Sequence, residues 1–538
     1  MKKYILYAAF ATVGLLGNTS CSDFGDVNVD PEHFNDENME FDLMFTNAQQ
    51  QVLGSDWDVW RNGIIYGATM MQHVTSADWS QVFYTWSSDY NSAYWDAIYS
   101  GDRAAIRNII IVLKQWENDP EHAVDYQLAR IVKAYAFHRM TDLYGDIPYS
   151  EAGRPDEEIF YPKYDTQESI YDDLLNELNE AQAALDGAAD AQVGAADIYY
   201  GGDAQAWRKF ANSLMLRVAM RLSKVDPTKA ETWVKTAVNN GLFESNDDNA
   251  MLQHPEGNVN NDASEPYAKI YCQSDPGKFY ISEFFMNLLK DTKDPRLGLI
   301  ATVCENPTAA YTSDAYDEGN SDPAIQVGMP IGYDLDGGRW DLSTAEGYPA
   351  DGNWRAYYST VNRTTYSDPS APTMIITYAE NCFLLAEAAY RGWLAGTNAT
   401  GTAQSYYEEG VRAAMNQFSV YSNAIFQVNE TLTADAIDEY LRNNPFDQSR
   451  ALEQINTQYY INTFCDSYET FANWRRSGYP VLTPVDKGYP NAVTNGTIPR
   501  RFTYPTTEST VNEANYLEAV SRLNDGDAMT SRVWWDVE

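Results

Sequence analysis

The fold of this chain is decided at residues 375–394, IITYAENCFLLAEAAYRGWL, and at residues 402–418, TAQSYYEEGVRAAMNQF. In both segments apolar side chains recur every three to four residues, which is the spacing of one face of an α-helix. The connection between the segments is short, and short connections join helices that lie side by side and antiparallel. The two segments are therefore predicted to form a packed helical pair.

The same helical spacing continues on both sides of this pair. It predicts further helices at Ala104–Trp116, Asp125–Leu143, Thr166–Leu185, Asp203–Ser223, Pro227–Asn240, Tyr280–Lys290, Thr433–Asn443, Arg450–Phe464 and Glu513–Leu523. The segments Ala386–Gly392 and Tyr406–Gly410 resemble a tetratricopeptide hairpin, with small residues at the crossing and an aromatic residue about twenty positions later. No clean repeat of about 34 residues runs along the whole chain. The predicted fold class is mainly α, and the residues alone give at best a degenerate tetratricopeptide pattern.

Two long regions have no regular period. Residues 246–276 are rich in Asn, Asp, Pro and Tyr, and residues 307–372 contain IGYDLDGGRWDLSTAEGYPADGNWRAYYSTVN. Stretches this long within a folded chain are usually functional or disordered, and the many aromatic residues argue against disorder. Asp334-Leu-Asp336-Gly is similar to the start of a calcium-binding loop, but Ala345 stands where such a loop needs a glutamate. No metal site is therefore predicted.

The stretch from Trp57 to Tyr99 carries eleven aromatic residues in 43 positions. Its ends, Ala68–Val74 and Ala93–Tyr99, are predicted to be helical, whereas Thr75–Tyr90 between them has no period. A loop this rich in Trp and Tyr cannot bury every ring, and rings with one exposed face bind flat, weakly polar ligands. The aromatics at helical spacing are expected to pack the first helices together: Trp57, Trp60, Tyr94, Trp95 and Tyr99.

For the aromatics of the loop, binding and packing remain equally open from the sequence. The proposed ligand platforms are Trp79, Tyr84, Trp86 and Tyr90, joined by Trp340 and Tyr358 from the second irregular region. Asp78 and Asn91 are expected to supply polar contacts, and His73 is a weaker candidate donor to a ligand hydroxyl. Loop positions are favoured because binding residues concentrate on loops held by a rigid scaffold.

Composition and motifs exclude several classes of function. The chain of 538 residues has a formal net charge of −40, which argues against nucleic acids and anionic membrane surfaces as partners. The motifs of serine hydrolases, zinc peptidases, P-loop enzymes and dinucleotide-binding enzymes are missing, and the five histidines lack metal-ligand spacing. The sequence therefore predicts a protein that is not an enzyme and that uses no cofactor.

The N-terminus has a basic start, an apolar core and small residues before Cys21. Residues 1–20 resemble a bacterial lipoprotein signal peptide, after which Cys21 is acylated and residues 21–40 form a solvated tether. The alternative is an ordinary secretory signal with an incidental cysteine. Export leaves open a disulfide between Cys272 and Cys304, whereas Cys382 and Cys465 lie in helical patterns and are expected to be buried thiols.

Seven blocks of sequence, in order, resemble the SusD/RagB family of outer-membrane lipoproteins of the Bacteroidetes. After Cys21 and the segment FGDVNVDP (24–31), the blocks are MTDLYGDIPYSEA (140–152), WRKFANSLMLRVAMRLS (207–223), YAENCFLLAEAAYRGW (378–393), YYEEGVRAAM (406–415), ANWRRSGYPVL (472–482), IPRRFTYPTTE (498–508) and WWD (534–536). They span nearly the whole chain, although residues 246–372 contain no matching motif.

The resemblance implies a tetratricopeptide-like scaffold with a large irregular, loop-rich half that faces the ligand. The predicted organisation is a single body, 41–538, with scaffold at about 41–245 and 373–466, an irregular insert at 246–372 and a loop-rich C-terminal segment at 467–538. The resemblance also implies that four arginines form buried ion pairs or contact helix ends and do not bind ligand: Arg475, Arg476, Arg500 and Arg501.

The same resemblance implies a lipid-anchored protein of the outer membrane that is exposed at the cell surface. It would capture oligosaccharides or peptides and deliver them to a SusC-like TonB-dependent transporter. Two alternatives remain open from the residues alone. One is an all-helical glycoside hydrolase, which needs two carboxyl groups at a set separation, and the other is a helical scaffold that binds only proteins.

Overall fold

The computed structural model describes residues 40–100, 104–255, 259, 263–485 and 488–538. The chain divides into residues 1–43 and residues 44–538. The predicted signal peptide, Cys21 and the tether up to residue 39 lie outside the described residues. None of the helices in the described ranges combines the length and apolarity that crossing a membrane requires.

The described residues are mainly helical, as the sequence predicts. The longer helices are α1 (Phe41–Gln51), α2 (Asp56–Asp58, continued by a π-helix at Val59–Ala68), α3 (Ser88–Tyr99), α4 (Ala105–Trp116), α5 (Ala123–Tyr144), α6 (Gln167–Ala184), α7 (Ala204–Arg221), α8 (Pro227–Asn240), α9 (Glu283–Asp291), α10 (Tyr378–Tyr390), α11 (Ala403–Asn416), α12 (Ala434–Asn443), α13 (Ala451–Asn462), α14 (Ser467–Ser477) and α15 (Glu513–Ser521). Short helices lie at Pro266–Lys269, with a π-helical turn at Ile270–Ser274, and at Leu297–Ile300, Ile425–Thr431 and Glu508–Val511.

Eight short strands pair into four antiparallel two-stranded sheets within the described residues. The pairs are β1 (Val74–Thr75) with β5 (Tyr280–Ile281), β2 (Ile147–Pro148) with β3 (Tyr164–Asp165), β4 (Ala250–Leu252) with β8 (Thr373–Ile376), and β6 (Ala301–Thr302) with β7 (Thr360–Val361). Three of these pairs join residues more than 50 positions apart, so they attach the irregular regions to the scaffold or to one another.

Local signals in the sequence fix where the scaffold helices begin. Thr166 caps α6 by accepting a hydrogen bond from the backbone N–H of Ser169, and Asp203 caps α7 in the same way. The predicted helical pair is α10 with α11. Its close approach needs Gly410, because a Cβ atom at that position would lie 2.6 Å from the ring of Phe383 on α10. This contact confirms the role predicted for small residues at the crossing.

Helix boundaries predicted from spacing agree with the structure to within a few residues for most of the scaffold. Two differences from the predicted helices have a clear physical reason. A helix was expected at Ala68–Val74. In the structure the helix lies earlier: the π-helical part of α2 ends at Ala68, and Val74 is the first residue of a strand. The helix Ser467–Ser477 was missed, because its Glu469, Arg475 and Arg476 are buried and so hide the amphipathic pattern.

A network of buried ion pairs joins the scaffold helices. On α7, the Arg217 Nη2 atom lies 2.6 Å from the Glu380 Oε2 atom of α10, and the Arg221 Nε atom lies 3.1 Å from the Asp142 Oδ2 atom of α5. Arg221 also pairs with Glu469 of α14. All five side chains are at least nine-tenths buried, so each charge depends on its partners for stabilisation.

The arginines of the C-terminal blocks belong to the same interior. Arg476 donates to both carboxylate oxygens of Glu387 at 2.8 and 2.9 Å, and Arg475 donates to the backbone oxygen of Asp142 at 2.5 Å. Arg500 pairs with Asp536, and Arg501 pairs with Asp527 at 2.5 Å. The prediction that these arginines pair internally is therefore confirmed.

The cysteines in the described residues are free thiols. Cys272, Cys304 and Cys382 are buried, and Cys465 is partly exposed. The bridge left open between Cys272 and Cys304 is not formed, and the Cys304 Sγ atom instead lies 3.6 Å from the Thr360 hydroxyl oxygen.

We expect Glu387→Gln to lower the free energy of unfolding by about 3 to 5 kcal/mol, because it leaves the buried Arg476 guanidinium without its carboxylate. Chemical denaturation at neutral pH measures this loss. The matched control is Glu453→Gln, which breaks the exposed pair with Arg450, 2.6 Å apart, and should cost less than about 1 kcal/mol. A loss no larger in Glu387→Gln than in the control would contradict a structural role for the buried pair.

Stability should also fall in acid for the same reason. Burial raises the pKa of Glu387 and Glu469, but the neighbouring arginines outweigh it and hold both pKa values at about 2. In the unfolded chain these carboxyls have pKa values near 4.5, so as the pH falls they bind protons in the unfolded state before they do in the folded state. The stabilisation from the ion pairs is therefore complete above about pH 4.5 and is lost as the pH falls toward 2. Denaturation of the wild type and of Glu387→Gln across this range should show the steeper loss in the wild type.

Candidate functional site

Four aromatic residues from two parts of the chain meet at the surface of the protein. We call Trp57, Trp60, Trp79 and Tyr90 the aromatic surface. The ring centroids lie 5.4 Å apart for Trp57 and Trp60, 5.3 Å for Trp60 and Trp79, and 5.9 Å for Trp60 and Tyr90. The Trp57 side chain is 53% exposed, and the other three are partly exposed. The group therefore offers aromatic faces to a ligand.

The first turns of α2 place two of these rings. Ser55 and Asp58 form a capping box that starts the helix, and Trp57, Trp60 and Arg61 follow at helical spacing on one side. The Arg61 Cζ atom lies 3.6 Å from the centroid of the Trp57 ring and 5.6 Å from that of Tyr90. Burial lowers the pKa of Arg61, and nearby carboxylates partly offset this effect. The guanidinium thus covers one face of Trp57 and leaves ring area for a ligand.

The insert holds Trp79 in place through the preceding residue. The Asp78 Oδ1 atom accepts hydrogen bonds from Lys278 Nζ at 2.7 Å and from Arg355 Nη2 at 3.0 Å. Arg355 also donates to the backbone oxygen of Gly277 and stacks on Trp354. The structure therefore corrects the role expected for Asp78: its carboxylate is committed to an ion pair that positions the loop.

Three other expected ligand residues are enclosed. Tyr84, Asn91 and Tyr358 are 1%, 1% and 2% exposed, so none presents a face or a free polar group to solvent. Tyr84 turns inward at a positive φ of 63°, which ends a 3₁₀ turn. Asn91 Oδ1 accepts from the Thr503 backbone N–H at 3.2 Å. Tyr358 packs in a hydrophobic cluster of the insert, so the prediction was wrong for these three.

Trp86 and Trp340 are accessible but lie apart from the aromatic surface. The Trp86 ring is 44% exposed, and its indole N–H donates to the Thr503 hydroxyl at 3.0 Å. Trp340 lies edge-on to Tyr489, with ring centroids 5.2 Å apart. Within the described ranges, neither ring contacts the four rings of the aromatic surface. Trp79 and Tyr90 are thus the expected platforms that the structure brings together.

An open cleft of about 610 Å³ adjoins the aromatic surface. It lies between the start of α2 and the exposed side of α3. Its lining combines one indole ring, one guanidinium, three carboxylates and small side chains: Ser55, Trp57, Asp58, Arg61, Asp89, Ser92, Ala93, Asp96, Ala97 and Ser100. A cleft of this size beside exposed rings is the usual form of a small-ligand site.

The sequence analysis did not include Trp57, Trp60 and Arg61 among the candidate site residues. The helical spacing of Trp57 and Trp60 was interpreted as packing, together with that of Tyr94, Trp95 and Tyr99, and of these five only Tyr94 and Trp95 are buried. A signal was present, because Asp56, Trp57, Trp60 and Arg61 place charged and aromatic side chains in the first two turns of the helix, whereas Ile64, Ile65 and Tyr66 follow as a continuous apolar run. Exposed aromatic and charged side chains at a helix start indicate a surface.

The remaining candidates for chemistry have structural partners. His73 is buried against Tyr460, and burial lowers its pKa to about 3, so it is a core residue. Among the described residues, His138, Asp142 and Glu469 bring their ligand atoms within 4.8 Å of one another, but Arg221 already neutralises both carboxylates. The carboxylate of Asp334 accepts the Asp336 backbone N–H, which forms a local turn.

The chain is similar to known proteins in both sequence and structure. A family model described as "Starch-binding associating with outer membrane" matches residues 35–505. A chitin-binding protein of known structure is 30% identical, with a TM-score of 0.75 over 93% of this chain and 100% of its own. A chitin-binding SusD homologue from Flavobacterium johnsoniae is 26% identical, with a TM-score of 0.70 over 93% and 98% of the two chains.

A SusD homologue from Bacteroides uniformis is also 26% identical, with a TM-score of 0.72 over 93% of this chain and 100% of its own. No curated protein matches the chain significantly by sequence. The family model covers most of the chain, and the helical scaffold agrees with the solved structures along nearly all of its length. The chain therefore belongs to the SusD-like family of proteins associated with the outer membrane.

Proposed function

We propose that this protein is a cell-surface lipoprotein that binds oligosaccharides without altering them and delivers them to a SusC-like TonB-dependent transporter. Two kinds of observation support the proposal. The family model is described as starch-binding, and two similar structures are of chitin-binding proteins. The observation that carries it is the aromatic surface, where four rings from two chain segments meet beside an open cleft.

The aromatic surface supplies the binding energy in this proposal. A sugar ring laid on one aromatic face covers about 100 Å² of apolar surface, worth roughly 2.5 kcal/mol. Two platforms, Trp57 and Trp79, give a gross gain of roughly 5 kcal/mol before the cost of association. The resulting affinity lies on the order of micromolar to millimolar. Weak binding suits a protein that must release its ligand to a transporter.

Attachment to the outer membrane is proposed to come from acylation of Cys21. The signal-like residues 1–20 end directly before this cysteine, and the described helices include no membrane span. Several acyl chains at one residue give a durable anchor, since each buried methylene contributes about 0.8 kcal/mol. The chain has a formal net charge of −40, so it gains no electrostatic attraction to anionic lipids.

Replacing either platform should weaken the binding of soluble starch and chitin oligosaccharides. We expect Trp57→Ala and Trp79→Ala each to weaken binding by roughly tenfold to a hundredfold, because each variant loses one stacking face. Isothermal titration calorimetry measures the effect. The matched control is Phe426→Ala, which removes a ring that is 75% exposed and lies outside the aromatic surface.

Two outcomes would contradict the proposal. Equal affinity in the platform variants and the control would show that the aromatic surface is not the binding site. The appearance of new reducing ends during incubation of the pure protein with these oligosaccharides would show that the protein is a glycoside hydrolase.

The anchor is tested separately from the ligand. We expect Cys21→Ser to move the protein from the membrane fraction to the soluble exported fraction, because the acceptor thiol is lost. Ultracentrifugation followed by immunoblotting measures the distribution, and Ser22→Ala is the control that keeps the thiol. Retention of Cys21→Ser in the membrane fraction would contradict lipid anchoring at this residue.

A further inference from the structure

Three polar side chains form a hydrogen-bonded row that connects the beginning of the insert to the strand that follows it. We call His254, Thr373 and Glu265 the polar row. His254 follows β4, Glu265 precedes the short helix at residues 266–269, and Thr373 is the first residue of β8. The Glu265 Oε1 atom lies 3.1 Å from the Thr373 Oγ1 atom, which lies 2.9 Å from the His254 Nε2 atom. Two segments of the insert are thus attached to β8 through one hydroxyl group.

The outer end of the polar row fixes where the hydrogen atoms lie. The His254 Nδ1 atom is 2.6 Å from the backbone oxygen of Ala263, and a carbonyl oxygen can only accept a hydrogen bond. Nδ1 therefore carries a hydrogen atom, and in a neutral imidazole the Nε2 atom is then an acceptor. The Thr373 hydroxyl group must donate its one hydrogen atom to that Nε2 atom.

This assignment leaves Thr373 without a hydrogen atom for Glu265. On that side the Thr373 Oγ1 atom can only accept, and an ionised carboxylate can also only accept. Their contact is a hydrogen bond only if the Glu265 carboxyl group is protonated and donates to Thr373. The alternative is an imidazolium at His254 beside an ionised Glu265. Both arrangements hold one proton more than an ionised glutamate with a neutral histidine.

Burial selects the uncharged arrangement. The Glu265 side chain is 5% exposed, and in the described parts of the chain no cation pairs with it. Burial raises the pKa of Glu265 to about 7, although the backbone N–H of Ala268, 2.7 Å from Glu265 Oε2, opposes this shift. Burial also lowers the pKa of His254, against the effect of its bond to Ala263. A carboxylic acid beside a neutral imidazole is therefore favoured over an ion pair.

Two kinds of titratable group surround the polar row. The nearby carboxylates are each ion-paired: Glu380 with Arg217, Asp466 with Arg139, and Asp56 with Lys269. Desolvation raises the pKa values of the surrounding thiols and phenols, which stay neutral at neutral pH: Tyr271, Cys272, Tyr366, Tyr421 and Cys465. Of the described residues in this region, Glu265 and His254 are therefore the groups whose charge is free to change near neutral pH.

We propose that Glu265 is a protonated, uncharged donor in the folded protein and that the polar row is a proton-dependent latch on the insert. With the proton present, the hydrogen bonds run in one direction, from Glu265 through Thr373 to His254 and on to Ala263. Loss of the proton in alkaline solution sets two acceptors against each other at Glu265 and Thr373. It also leaves a buried charge without a partner, and water stabilises such a charge only if the segment opens.

The latch lies at the start of the segment that supports Trp79. After Glu265 the chain forms the helix and π-helical turn of residues 266–274 and then reaches Lys278. The Lys278 Nζ atom lies 2.7 Å from the Oδ1 atom of Asp78, the residue before Trp79. Ionisation of Glu265 is therefore expected to loosen the segment between the latch and this ion pair.

Infrared difference spectroscopy of the full-length protein tests the protonation directly. Subtracting the spectrum of Glu265→Gln from that of the wild type at about pH 6 should leave the carbonyl band of one carboxylic acid, and the band should be lost by about pH 9. The glutamine amide donates to Thr373 as the acid does, so the polar row is kept. The control is the exposed Glu453→Gln, which should leave carboxylate bands alone. Carboxylate bands alone for Glu265→Gln at about pH 6 would overturn the proposal.

Chemical denaturation tests the link between the proton and the fold, and the expected sign is opposite to that for Glu387. The folded pKa of Glu265 lies above the unfolded value of 4.5, so the folded state binds this proton more tightly. Relative to Glu265→Gln, the folding equilibrium constant of the wild type should fall by up to about tenfold per pH unit between about pH 4.5 and 7, and level off above. A ratio that is constant or rises with pH would contradict the proposal.

Hydrogen exchange tests the opening of the latch. At about pH 9, residues 263–278 should exchange faster in the wild type than in Glu265→Gln, whereas at about pH 6 the two proteins should exchange equally. Equal exchange at both pH values would show that ionisation of Glu265 does not open the segment, and the latch would be disproved.

A measurement on the unaltered chain keeps the inference testable if Glu265→Gln does not fold. Nitrogen NMR spectra of the histidine-labelled wild type, with the signal assigned through His254→Gln, report the protonation of both ring nitrogens. At about pH 6.5, His254 should be the neutral tautomer with its hydrogen atom on Nδ1. An imidazolium signal at that pH would place the proton on His254 instead of Glu265 and refute the assignment.

Discussion

The buried ion pairs of the scaffold are the constraint on which the rest of this structure depends. Arg221 joins Asp142 and Glu469, and Arg217 joins Glu380, so four helices are tied through charges removed from water. A buried charge is tolerated only when its partner lies at hydrogen-bond distance, so helices packed out of register would leave charges unpaired. The ion pairs therefore favour the observed register over alternatives that apolar packing alone would tolerate.

The same network fixes the helix that carries the aromatic surface. Glu469 and Ser467 lie on α14, and the Ser467 hydroxyl donates to the backbone oxygen of Gly63 in α2 at 2.7 Å. A Cβ atom at Gly67 would lie 2.9 Å from that hydroxyl oxygen, so the two helices touch through a residue without a side chain. The rings at the start of α2 are thereby connected to the buried ion pairs, although none of the four aromatic residues belongs to that network.

The position of Trp79 in the aromatic surface depends on contacts between irregular segments. Asp78 binds Lys278 and Arg355, and β1 pairs with β5, so the loop that carries Trp79 is attached to the insert at two points. Loops held in this way keep a binding surface formed before the ligand arrives, which reduces the ordering cost of association. In the proposed function, the lower ordering cost compensates for the small binding energy that two aromatic platforms supply.

The sequence by itself determined the helical scaffold, because helical spacing and capping residues are local and most predicted boundaries lie within a few residues of those observed. It also identified the internal role of Arg475 and Arg476 through the family resemblance. Only the tertiary structure decided which aromatics face solvent: Tyr84 and Tyr358 are enclosed, whereas Trp57 is exposed. The physical reason is that exposure depends on neighbours distant in the chain, such as Arg355 beside Asp78, and spacing along one segment contains no information about them.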